Sequence, residues 1–315
     1  MINIIFKRIG HAGFVAWAVG TLTFILMRLL PGDFAYRIAA GRYGYDYVNA
    51  EAAQSVRVEL GLDQPAIVQY FDWLKDMLQF NLGTSLVSGN PVVDELTHQL
   101  GHSLKLALVA TFISFLIAWP IGVYCGKKTK GLADQMSLFT SVTLRAQPIF
   151  VVGLILILVF SLHFGLFPVA GFGSSAYLIL PAATLSLSLA AVSNRMIRNA
   201  TSRVVSSGFY QFARLKGLNP KQVFTYHGQP NITLPVITLV SMQAVMLIEG
   251  IVMVESLFSW PGIGHGLAHA IFSRDVPVIQ GAALVMGLIF VFINTCVDLL
   301  AYVLDPRQRG ELRCE

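Results

Sequence analysis

Apolar positions along the chain gather into six runs, at about 9–30, 103–124, 135–162, 177–194, 234–256 and 278–303, with shorter polar stretches between them. A helix needs about 20 residues to cross a hydrocarbon core. A segment in lipid must also satisfy its backbone internally. The runs therefore predict six transmembrane helices in an all-α membrane protein. Pro120 and Pro148 fall inside the second and third runs and predict kinks there. The fourth, "PAATLSLSLAAVS", is rich in small residues, as suits a helix packed closely on its neighbours. The start "MINIIFKRIG" has no small-x-small cleavage site before "LPGD" and reads as part of a retained first span.

Between the first two runs, 31–102 carries a pattern of its own. Asn49 can cap a short helix that ends at Leu60, with Gly61 just beyond. Asp63 and Pro65 mark a second start, after which Ile67, Tyr70, Phe71, Leu74, Met77 and Leu78 share one helical face. This predicts a small helical external subdomain resting on the spans or the membrane surface.

Composition agrees with the pattern. Only 12% of residues are charged, against about 25% in soluble domains. The net charge of +5 reads as topology and gives no reason to invoke nucleic acid. With both termini cytoplasmic, the inner segments hold 14 Lys/Arg and four acids, the outer ones five Lys/Arg and ten acids. The opposite orientation would invert the positive-inside bias. Three scattered cysteines offer neither a disulfide frame nor a metal spacing.

One polar stretch, "YQFARLKGLNPKQVFTYHGQPNITLPVITL", stands out between the fourth and fifth runs. Residues 203–216 have helical spacing but are too polar to cross lipid. Gly217 suits a left-handed stop, and Asn219-Pro220 suits the N-cap and first position of a new helix. The spacing predicts a helix–corner–helix, either docked in a partner's groove or lying against acidic lipid.

Taken with "VMVESLFSWPGIGHGLAHAIFSRDVPVIQGAAL", "INTCVDLLAYVLDPRQR", "MRLLPGD", "LGLDQP", "FNLGTSLVSGNPV" and "LPVAGFG", this stretch resembles the B-type permease subunit of dipeptide/oligopeptide/nickel ABC importers over essentially the whole chain. The resemblance implies a type I importer permease fold in the bacterial inner membrane. It implies a homologous second permease, two ATPase subunits that bind the ATP and magnesium, and an external solute-binding protein. The cargo would be small peptides, nickel or metal-chelates. It further implies that Ala213, Arg214, Lys216, Gly217 and Leu218 couple the chain to an ATPase. Family members usually carry Arg-Asn-Ala where this chain has Pro230-Asn231-Ile232, which predicts a sharper, proline-set start to the fifth span. The chain then divides into a first span (1–30), the external subdomain (31–102), a five-helix core (103–303) with a cytoplasmic coupling loop (197–232), and a cytoplasmic tail (304–315).

No GxxxxGK[ST] loop, GxSxG elbow or HExxH helix occurs, so the chain reads as a transport subunit without enzymatic chemistry or cofactor of its own. The alternative is a proton-coupled secondary carrier, which would use intramembrane acids directly. Arg145, Glu249, Glu255, Asn294 and Asp298 are the ionisable or strongly polar groups within the spans. They make either a pathway or a structural network, with Glu255 and Asp298 near water at span ends. His98/His102 and His265/His269 are i,i+4 pairs on the predicted outer side. They read as surface polarity, although imidazoles so spaced can ligate a transition metal.

Overall fold

The computed structural model describes residues 2–29, 32–44, 48–59, 64–79 and 81–304. These are mostly helical, and the described residues hold no strand beyond an isolated bridge between Thr84 and Pro91. The helices begin with α1 (Ile2–Leu29), α2 (Phe34–Tyr43), α3 (Ala50–Glu59), α4 (Ala66–Leu78) and α5 (Val92–Lys127). Next come α6 (Leu132–Ala146), α7 (Ile149–Leu156), α8 (Ala176–Val205), α9 (Gly208–Leu215) and α10 (Pro220–Val223). Finally there are α11 (Gln229–Leu257), α12 (Ile263–Ser273) and α13 (Val276–Leu304). Two π-helical segments, Ile157–His163 and Phe224–Gly228, follow α7 and α10.

Stretches within α1, α5, α8 and α13 are each long and apolar enough to cross a membrane. The predicted span 234–256 lies inside α11, which has 29 residues. The third run is not one kinked helix: α6 and the helix from Ile149 to His163 meet at a bend of 106°. The cause is local. Gln147 is extended, with ψ 139°, because the ring of Pro148 excludes the helical region for the residue before it. α5, by contrast, continues through Pro120.

The chain forms two compact units. In the first, Met1–Ser103 with Pro261–Val291, local caps set the helices. Asp33 Oδ1 accepts from the amides of Ala35 and Tyr36, and Asn49 Oδ1 from that of Ala52 at 2.8 Å. Leu60, Gly61 and Asp63, predicted to end one helix and start the next, lie outside the described residues. α2 and α3 bury Ile38, Ala39 and Val56 against each other. Arg42–Glu59 and Arg57–Asp33 ion pairs, both 2.8 Å, tie their surfaces. The stripe on α4 divides. Tyr70 bonds Thr21 on α1 at 2.9 Å and packs edge-on against Phe24, while Ile67, Phe71 and Leu78 stay exposed. Asp275, just before α13, accepts from Ser85 Oγ at 2.5 Å and from the amides of Leu86 and Val87.

The second unit, Leu104–Trp260 with Phe292–Glu315, is built around α8. Its contact with α5 needs glycine: a Cβ on Gly126 would sit 2.5 Å from Thr201 Cβ, and one on Gly122 2.9 Å from the Asn194 carbonyl oxygen. Small residues four apart let two backbones approach this closely. On its other sides α8 makes polar contacts. Asn194 Nδ2 donates to Ser137 Oγ (2.6 Å) on α6, and Ser193 Oγ bonds Gln243 Oε1 (3.0 Å) on α11.

Candidate functional site

The stretch that stood out in the sequence folds into a corner, with one correction. The helix expected over 203–216 is broken, because α8 ends at Val205 and α9 begins at Gly208. The two serines between them turn back on the helix end: Ser206 Oγ donates to the Ser202 carbonyl (2.8 Å) and Ser207 Oγ to that of Val204 (2.5 Å). Such side-chain bonds compete with the helical ladder.

α9 is sharply two-faced. Tyr210 and Ala213 are buried in a cluster with Val204, Val223 and Ile232. Burial pushes the Tyr210 phenol above its ordinary value, against the opposing pull of Arg214. Phe209, Phe212 and Leu215 point outward at i, i+3, i+6 spacing, and Leu215 is 85% exposed. The ammonium of Lys216 lies 4.9 Å from the Phe212 ring centroid. Gly217 adopts φ +80°, as its place in the sequence predicts. Asn219 then accepts from the Lys221 amide (3.1 Å), while the Gln222 side chain accepts from the Asn219 amide (3.2 Å). This closes a capping box with Pro220 at the first helical position.

Of the five residues assigned to coupling, Arg214, Lys216, Gly217 and Leu218 are exposed at this corner, and Ala213 faces inward. Phe212 and Leu215, outside those five, are exposed beside them, and their three-residue spacing next to the buried Tyr210 and Ala213 carries the signal.

The sharp start expected at Pro230 is absent. The π-helical segment Phe224–Gly228 runs directly into α11, and Asn231 Nδ2 donates to the His227 carbonyl at 2.8 Å. Pro230 sits at the start of α11, directly after the π-turn, and the helix runs through it without a break.

The intramembrane polar residues separate. Arg145, at the end of α6, and Glu249, on α11, line one groove of 280 Å³ with Gln147, Ser188 and Gln243. Neither charged side chain has an ion-pair or hydrogen-bond partner among the described residues. Gln243 is held: its Nε2 donates to the Leu189 carbonyl (2.8 Å) and its Oε1 is occupied by Ser193. Glu255 is elsewhere. It is fully buried and partnered beside Val254, Phe258 and Trp260, so the water expected around it is excluded. Asn294 is half-buried and partnered, and the Asp298 side chain lies outside the described residues.

In the second unit a buried carboxylate that no sequence pattern singles out does bind arginine. Asp134 is held by Arg198 (2.5 and 2.9 Å) and Arg195 (3.4 Å), and it also accepts from the Lys130 amide (3.0 Å).

In the first unit His98, His265 and His269 line a common pocket with Glu95 and Asp275. The rings of each i,i+4 pair lie close, with centroids 4.7 Å apart for His98/His102 and 4.5 Å for His265/His269. No group of three His, Cys, Asp or Glu among the described residues is arranged to hold a metal ion. Burial, and next His269, hold the His265 imidazolium below its ordinary value.

Two family models match this chain. The "binding-protein-dependent transport system inner membrane component" covers 118–310, and the N-terminal model of the same transport-system membrane components covers 1–107. The chain belongs to this family. It is 36% identical over 319 residues to a Brucella suis biovar 1 protein named as a peptide transport system permease, covering 98% of this chain and 99% of that one. It is 33% identical over 309 residues to the glutathione transport system permease protein GsiC of Salmonella typhimurium, with 98% and 99% covered. A crystal structure of an amino acid ABC transporter with histidines shares the fold: TM-score 0.55, 16% identity, 67% of this chain and 95% of that chain. The protein is thus an ABC importer permease in a multi-pass, all-α fold. Family membership decides against the proton-coupled carrier.

Proposed function

We propose that this permease imports short peptides, working with a homologous second permease, two ATPase subunits and an external solute-binding protein. Both termini are cytoplasmic in this reading, and the outer helices α2–α4 face the binding protein. The observation that carries it is the outer face of α9. An apolar row of Phe209, Phe212 and Leu215, edged by Arg214 and Lys216, stands on a helix too short and polar to cross lipid. An amphipathic helix of this kind fills a groove in a partner, and the partner here is the ATPase. ATP-driven closure of the two ATPases moves α9. The cluster of Tyr210, Ala213, Val204, Val223 and Ile232 carries that movement into α8 and α11. Those helices line the groove that holds Arg145 and Glu249, which we assign to the transport path.

Peptide is preferred to nickel because relatives that align over almost the whole chain are named for peptide and glutathione transport. The test is reconstitution of the permease pair with its ATPases and binding protein. ATP-dependent accumulation of labelled dialanine is expected. Accumulation of nickel but not of dialanine overturns the peptide assignment, and uptake driven by a proton gradient without ATP overturns the importer.

A further inference from the structure

The groove between α6, α7, α8 and α11 has a chemistry that suits one kind of solute. Its walls are mainly apolar, and two of its lining residues, Met246 and Met253, sit seven apart on α11 on either side of Glu249. Methionine side chains adapt to ligands of different shape. The close approach of α11 to α7 is set at Gly250, where a Cβ would come 3.2 Å from Ile149 Cδ1. At 280 Å³ the groove lies near the small end of ligand sites, which run from about 300 to 1,000 Å³.

Against these walls stand one cation, Arg145, and one anion, Glu249. Each is without an ion-pair or hydrogen-bond partner among the described residues. An ionised group in a spanning segment is costly unless it faces water or an opposite charge. Gln243 bonds neither of them: its amide is turned to Ser193 and to the Leu189 carbonyl. The groove is therefore neutral overall yet offers two separated, unanswered charges. A simple anion or cation would answer one and leave the other. A molecule with a carboxylate at one end and an ammonium at the other answers both, and the guanidinium fork favours a carboxylate in particular.

On this basis, and resting on the peptide-importer reading above, we infer that Arg145 and Glu249 read the two charged ends of a short zwitterionic peptide during its passage. Arg145 takes the C-terminal carboxylate and Glu249 the N-terminal ammonium. The groove between them leaves the peptide side chains to the methionines and leucines, so selection acts on free termini rather than on sequence.

The test uses the reconstituted importer with three labelled probes: dialanine, N-acetyl-dialanine and dialanine amide. In Glu249→Gln the ratio of dialanine to N-acetyl-dialanine uptake should fall roughly tenfold, the scale of one lost charged hydrogen bond. In Arg145→Gln the ratio of dialanine to dialanine amide should fall by the same amount. Parallel loss of all three probes in both variants shows a structural role and overturns the inference.

A second measurement covers the case in which capped peptides are not delivered by the binding protein. Ser188→Cys, in a chain whose native cysteines are replaced, is labelled with maleimide in the presence and absence of dialanine. Dialanine should slow the labelling, and either charge variant should abolish that protection; protection unchanged in both overturns the inference. Wild-type uptake of dialanine with unaffected variants removes this inference alone. Failure of the wild-type importer to accept dialanine removes the peptide reading and this inference with it.

Discussion

Gly217 offers the sharpest test of the corner. Its φ of +80° is a conformation that β-branched residues scarcely adopt, yet an added Cβ there would meet nothing within 4 Å. Substitution therefore perturbs the backbone and nothing else. Valine in this region costs about 1–3 kcal/mol, whereas asparagine, which tolerates left-handed φ, costs much less. The opposing restraints are small: one bond from the Gly217 amide to the Arg214 carbonyl (3.1 Å) and the Asn219 capping box. A cap of this kind is worth about 1 kcal/mol. The strain from valine is thus large enough to shift the corner, which displaces Leu218 and α10 relative to α9.

The assay is ATPase activity stimulated by the binding protein in the assembled complex. Gly217→Val should reduce stimulation about tenfold, the equivalent of about 1.4 kcal/mol. Gly217→Asn should retain most of it. Membrane insertion should match wild type in both, because no packing is lost, and any fall in detergent melting should be confined to the strained valine variant. Full stimulation in Gly217→Val would refute the claim that the geometry of this corner transmits the ATPase movement.

Three further outcomes are expected. A single cysteine at the exposed Ser88 should react with an impermeant maleimide in intact cells, and one at the exposed Ser206 only after permeabilisation; labelling of Ser206 from outside reverses the orientation. Gly126→Leu should lower detergent melting by overpacking against Thr201, at a cost of about 1–3 kcal/mol. Gly101→Leu, where nothing lies within 4 Å, is the control, and equal melting in the two variants removes the close α5–α8 contact. Because the His265 value is depressed in the fold, the unfolded chain binds the proton first, and stability should fall as pH drops through about 6.5 and below. His265→Gln should flatten that fall, and an unchanged pH profile in the variant removes His265 as its cause.

Features written in a few adjacent residues were legible in the sequence. Gly217, Asn219 and Pro220 each declare a backbone conformation, and Asn49 declares a cap; all behave as their chemistry requires. Apolar runs located the long helices because lipid leaves the backbone few alternatives. The errors came where a local rule was applied too weakly. The restraint that proline places on the preceding residue turns the third span through 106° rather than kinking it. Two serines end α8, where helical spacing alone suggested continuity. Pro230 was expected to set a sharp start, and the π-turn runs into α11 there without a break.

Pairing across the fold was not legible, because no local pattern encodes it. Arg145 could be matched with any of several acids in the spans, and Asp134, at the start of α6, offered no sign that two arginines would hold it. Its two arginines lie one turn apart on α8 and close on it from one side, with Arg198 bidentate, the arrangement that makes a partly buried carboxylate tolerable. α6 also carries Arg145, and α11 carries Glu249, with no such provision among the described residues. A fold able to satisfy one charge so completely has the means to satisfy others. Charges left open in a spanning groove are therefore better understood as awaiting something that passes through than as failures of packing. Replacing Asp134 should then damage assembly, whereas replacing Glu249 should leave assembly intact and alter only what is carried.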